Sequence, residues 1–116
     1  MPFEINQEKK FDQPAAKVYE SVQKAISGLE GQVTKQDATS GAVEAKFDKT
    51  ILGQVLGDRT FLSVKVTSEG EDSSSLVLEA YPLDPVGRKL MFGARKGVTA
   101  TVVSWFFAHL DHHLGK

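Results

Sequence analysis

Two hydrophobic periods divide this chain. From Val18 to Leu29 apolar residues recur at helical spacing: Val18, Val22, Ile26 and Leu29 form one stripe, widened by Tyr19 and Ala25. Asp12 is in place to cap this helix, and Pro14 suits a first turn, where its missing N–H would be unpaired anyway. Gly28 and Gly31 supply stop signals. Before the helix, "PFEIN" alternates as a short first strand that extends toward Phe11. After it the period becomes two. Val43, Ala45 and Phe47 alternate with Glu44, Lys46 and Asp48, and "QVTKQDATSG" reads as the partner strand, with "DATSG" as the turn. Leu62, Val64 and Val66 alternate with Ser63, Lys65 and Thr67, and Leu76, Leu78 and Ala80 share one face of the next strand. "EGEDSS" joins these two as a hairpin turn. In "LGQVLGDR", Gly53 and Gly57 bracket either a lip or a helical turn.

The last element, "GVTATVVSWFFAHLDHHLGK", returns to helical spacing. Val98, Val102, Val103, Trp105, Phe106, Phe107, Leu110 and Leu114 fill an arc of roughly 200°, about twice what a surface helix needs. Part of that arc must meet a curved sheet, a partner subunit or a bound apolar molecule. The predicted order is strand, helix, four strands, helix. Hairpin-like links make this an α+β fold with an antiparallel sheet, one face on helices and the other toward water.

A chain of 116 residues fits one domain spanning residues 1–116, and its ordinary charge and apolar content argue against global disorder. Net charge is −1, which disfavours a general nucleic-acid binder. Taking the four cations Arg88, Lys89, Arg95 and Lys96 from that −1 leaves −5 elsewhere, so positive charge is concentrated just before the last helix. With no cysteine there is no disulfide, thiolate catalysis or cysteine-ligated metal. No secretory signal pattern or membrane-length apolar run is present, so a cytoplasmic location is expected.

"FDQPAAKVYESV", with Pro14 followed by Val18 and Tyr19, resembles the proline–x–x–x–Val–aromatic opening of the first helix in the START and polyketide-cyclase superfamily, the SRPBCC-like or helix-grip proteins of TBP-like topology. "VVSWFFAHL" resembles their gripping helix. The resemblance implies a long C-terminal helix laid across a curved sheet and an apolar ligand cavity between the two. The larger members insert two small helices and two further strands, for which this chain has no room. The implied cavity is correspondingly smaller.

Candidate residues cluster late in the chain. Arg88, Lys89, Arg95 and Lys96 precede or open the last helix, where free N–H groups favour an anion; the alternative is a solvated loop whose cations pair with the excess acids. Met91 and Phe92, with Leu90, either close the core or form a lid hinged at Gly87 and Gly93. Val102 and Phe106 in the apolar arc, and His109 within it or at its edge, complete the ligand-binding set. Trp105, Phe106 and Phe107 are core, unless one or two line a pocket. His109 and His113 have a zinc-compatible spacing, but no further histidine completes a site, and no metal or cofactor is expected. No catalytic motif stands out: there is no Gly-x-Ser-x-Gly elbow, no phosphate loop and no poised pair of acids.

Three functions stay open on these residues. One is a non-enzymatic binding domain for an apolar or amphipathic small molecule, with an anionic head near Arg88, Lys89, Arg95 and Lys96. A second is an interaction module, such as a homodimer. A third is a small enzyme using the same pocket, with His109 as acid or base.

Overall fold

The computed structural model describes residues 4–84, 86–90 and 97–115. The chain order is β1 (Ile5–Phe11), α1 (Ala15–Gly28), β2 (Gln32–Asp37), β3 (Ala42–Phe47), β4 (Thr50–Ile51), β5 (Gln54–Val55), β6 (Arg59–Gly70), β7 (Ser73–Leu83) and α2 (Val98–His113). Five strands form one antiparallel sheet in the order β1-β7-β6-β3-β2, and β4 pairs with β5 as a separate hairpin. The strand–helix–four-strand–helix reading therefore holds, with this small hairpin added where a lip or a helical turn was expected.

The alternation in sequence becomes two sheet faces. Val43, Ala45 and Phe47 pair with Val64, Leu62 and Thr60, which pair in turn with Leu78, Ala80 and Pro82. All are buried, on the side that carries the helices. Glu44, Ser63, Glu79 and Asn6 form one row on the other face, and Lys46, Phe61 and Tyr81 the next. The stripe of α1 supplies Val18, Val22, Ala25 and Ile26 to the core, and α2 supplies Val102, Val103, Phe106 and Leu110.

The expected helix signals differ in detail. Asp12 does not cap α1. Pro14 occupies that position in extended conformation, and its carbonyl accepts the N–H groups of Lys17 and Val18, each at 3.1 Å. The residue before a proline is excluded from helical geometry, so the helix starts after Gln13. Gln13 is pinned elsewhere: its carbonyl accepts from Ser74 Oγ at 2.9 Å, and its Nε2 donates to the Leu114 carbonyl at 3.1 Å. At the other end, Glu30 rather than a glycine takes the left-handed position, with φ 63°. Glu30 N–H returns to Ser27 O and Gly31 N–H to Ile26 O, the two bonds of a Schellman stop. Gly31 serves close packing instead, because a Cβ there would lie 2.5 Å from Phe47 Cε1.

"PLDPVGRKLMFGARKGV" is a tight turn where it is described. Asp84 Oδ1 accepts from the N–H groups of Val86 (3.0 Å) and Arg88 (2.9 Å), and Asp84 N–H donates to Arg88 O at 2.7 Å. Leu83 bridges to Lys89, and Leu90 N–H donates to Pro82 O at 2.8 Å. Met91, Phe92, Arg95 and Lys96 lie outside the described residues.

Candidate functional site

The wide apolar arc of α2 meets three neighbours. Val102, Phe106 and Leu110 are fully buried against sheet and α1. Phe107 is half-buried beneath Lys9, whose ammonium lies 4.9 Å from the ring centre and 3.4 Å from Asp111 Oδ2. Trp105 and His109, one turn apart, face a cleft of about 380 Å³ lined also by Leu29, Leu52, Gln54 and Ala108. Its walls are the end of α1, the β4–β5 hairpin and α2.

Each wall is held by a specific local device. His109 packs closely on the last residue of α1: a Cβ on Gly28 would lie 3.0 Å from His109 Nδ1, close enough that the ring would have to give by a few tenths of an ångström. The hairpin is closed at its base by Lys49 O, which accepts from Leu56 N–H (2.7 Å) and Gly57 N–H (3.2 Å), and Ile51 anchors it in the core. At its tip Leu52 and Gly53 both have positive φ, 51° and 82°, as a two-residue primed turn requires. For leucine that conformation is costly, roughly 1–2 kcal/mol. The Glu30 carboxylate holds it there, accepting Leu52 N–H at 2.9 Å. Two left-handed non-glycine residues thus lock the hairpin onto the end of α1, leaving Leu52 53% exposed at the cleft mouth.

The residues expected to bind together are separated. Val102 and Phe106 are core, and His109 is in the cleft. Lys89 stands on the outer face of the sheet, ion-paired with Glu4, its ammonium 4.9 Å from the centre of the Tyr81 ring. Tyr81 in turn stacks on Phe61 at 4.9 Å. Arg88 is exposed. Leu29, Leu52, Gln54 and Ala108 come from three separate stretches of chain, and only the glycines around the hairpin hinted at a lip.

The outer cluster has its own electrostatics. The Lys89 ammonium bonded to Glu4, helped by Asn6 and Glu79, holds the Glu4 carboxyl down at about 2. Glu79, hydrogen-bonded to Glu4 and partly desolvated, is pushed up. Lys89 is raised by the bond to Glu4, and Tyr81 is raised by burial and then by Glu79. Among the described residues no group of three or more His, Cys, Asp or Glu gathers to hold a metal, and no helix is long and apolar enough to cross a membrane.

A helix laid over one face of a five-stranded antiparallel sheet, with a cleft beside it, is the helix-grip, SRPBCC-like fold. Solved structures share it. An uncharacterized protein from Bacillus thuringiensis superposes with a TM-score of 0.60 at 5% identity over 97% of this chain and 99% of its own. A conserved protein from Geobacillus kaustophilus gives 0.60 at 9% identity over 97% and 95%. The di-domain ARO/CYC BexL from the BE-7585A biosynthetic pathway gives 0.56 at 12% identity; 97% of this chain matches only 46% of that two-domain protein. No family model and no curated protein sequence matches the chain.

Proposed function

We propose that this protein is a non-enzymatic carrier or sensor of an apolar or amphipathic small molecule, held in the Trp105–His109 cleft between α2, the end of α1 and the β4–β5 hairpin. The observation that carries this reading is the cleft lining, in which four apolar residues surround two polar ones, Gln54 and His109. A few polar groups on an otherwise apolar lining fix the orientation of a bound molecule. Among the described residues no acid or hydroxyl hydrogen-bonds His109, as a paired acid–base catalyst would require. Shared fold with an ARO/CYC protein of a biosynthetic pathway agrees with a small-molecule role. Arg88, exposed near the start of α2 in sequence, offers an anionic end of such a ligand a surface partner, whereas Lys89 is engaged by Glu4.

The test is fluorescence titration with 1-anilinonaphthalene-8-sulfonate, for the native protein and for Trp105→Ala, Arg88→Gln and Lys89→Gln. Trp105→Ala should weaken binding about tenfold, from loss of the aromatic wall. Arg88→Gln should weaken it less, and Lys89→Gln should leave it unchanged. Saturable binding that Trp105→Ala does not alter, or no binding by the native protein, would overturn the reading. Native mass spectrometry of protein taken from its own organism would then identify any retained molecule.

A further inference from the structure

A carboxylate with no counter-charge stands at the mouth of the Trp105–His109 cleft. Glu30 follows the end of α1 in the left-handed conformation, and its Oε1 accepts Leu52 N–H at 2.9 Å. Leu52 lines the cleft, so that bond fixes the carboxylate beside the opening. Among the described residues no lysine, arginine or histidine pairs with Glu30, and its second oxygen accepts no hydrogen bond. α1 ends at the same place with no basic residue in its last turn, which leaves the negative end of its dipole uncompensated. The cleft lining includes no lysine or arginine among the described residues. Lys49, at the base of the hairpin, borders a separate hollow with Arg59 and Asp84. Formal charge and helix dipole at the mouth thus have one sign, negative.

We infer that the cleft selects a cation: the molecule it binds is an amphipathic amine, its apolar body against Leu29, Leu52 and Ala108 and its ammonium held by the Glu30 carboxylate and the Trp105 indole. This deepens the binding role proposed above and rests on it. The bonding groups on offer suit that class. An ammonium has three donors and no acceptor. The free oxygen of Glu30 accepts one of them, and the Gln54 carbonyl and a neutral His109 ring nitrogen are acceptors for the others. An indole is the aromatic face that attracts a cation most strongly. A carboxylate or phosphate would instead meet Glu30 as a like charge, with no lysine or arginine in the lining to offset it. An anionic group on the same molecule therefore belongs outside the cleft. Glu30 is exposed, so its attraction is modest and weakens with salt.

Three straight-chain probes of one length separate charge from apolar burial: octylammonium, 1-octanol and octanoate. Trp105 is the only tryptophan in the chain, so its fluorescence reports their binding directly. At low salt the native protein should bind octylammonium about tenfold more tightly than octanoate. Glu30→Gln keeps an oxygen for Leu52 N–H and removes only the charge. It should bring the two affinities to within about twofold and tighten binding of the sulfonate probe used above. Raising salt to about 0.5 M should shrink the native ratio without any substitution, which tests the charge even where Glu30→Gln fails to fold. Equal native affinities, a preference for octanoate, or a preference for octylammonium that survives both Glu30→Gln and salt would overturn the cation assignment. Binding of 1-octanol in those cases would leave the cleft itself standing. A native protein that binds none of the three would overturn both.

Discussion

Gly31→Ala probes the packing that supports the cleft. The new Cβ would lie 2.5 Å and 3.0 Å from Phe47 Cε1 and Cδ1 and 2.8 Å from Ile26 Cγ2. Both neighbours are fully buried, Phe47 at 1% and Ile26 at 0% exposure, so neither has an empty side to move toward. Overpacking of this kind costs about 1–3 kcal/mol. Alanine returns about 0.4–1 kcal/mol by restricting the unfolded chain, provided the backbone accepts it. The packing cost wins, and the expected net loss is about 1–2 kcal/mol. At about 2.1 cal/mol/K per residue, a chain of this length should lose about 4–8 °C in Tm. The assay is urea unfolding with Tm as a second readout, on Gly31→Ala, Phe47→Leu and the double variant. Phe47→Leu alone leaves a void, which the added methyl partly fills. The double variant should therefore be at least about 0.5 kcal/mol more stable than the sum of the singles. Strict additivity, or a Gly31→Ala protein as stable as the native one, would refute the argument.

Leu52→Asn should convert the hairpin tip to Asn-Gly, the favoured pair for its geometry. Relief of the left-handed leucine and loss of its half-buried side chain offset each other to within about 1 kcal/mol, while affinity for an apolar probe falls; unchanged affinity would remove the hairpin from the site. In the outer cluster, the depressed Glu4 contributes stability that is present above its unfolded value of 4.5 and is lost as pH falls toward about 2. Glu4→Gln should therefore lower Tm at pH 7 and cease to matter near pH 2. The raised Glu79 has the opposite sign: its protonated form stabilises below pH 4.5, and that contribution is lost as pH rises through the folded value. Glu79→Gln should raise Tm at pH 7 and lose that advantage in acid, as melting curves across pH would record. Asp84→Ala removes the acceptor of two backbone N–H groups and should cost about 1–2 kcal/mol in chemical unfolding, with Asp84→Asn largely sparing it.

Regular elements were legible in the sequence because each repeats a pattern long enough to show its period. The nine apolar positions that alternate in sequence, Val43, Ala45, Phe47, Leu62, Val64, Val66, Leu76, Leu78 and Ala80, all lie on the helix-facing side. The β4–β5 hairpin was ambiguous for the opposite reason. Strands of two residues have no period, and a left-handed leucine leaves no mark on composition. Trp105 and His109 could be placed on the edge of the α2 stripe, but the cleft exists only where three elements meet. Leu29 reads as the end of a helix stripe, and Ala108 as an outer position, until the hairpin is folded between them. The cation run shows a further limit. Linear spacing groups Arg88 with Lys89, yet the Leu83–Lys89 bridge carries the lysine to the outer face beside Glu4.

The strand order has a kinetic meaning. β2, β3, β6 and β7 follow one another in both sequence and space, so each pairing closes only a short loop. β1 instead pairs with β7 in the register Phe11↔Ser74, and that closure costs on the order of 4 kcal/mol in chain entropy before any contact compensates. α2 is fastened to the same corner, through Lys9 to Asp111 and Gln13 to the Leu114 carbonyl. First strand and last helix are therefore expected to lock together late in folding, and a meander lacking them would leave its apolar face uncovered.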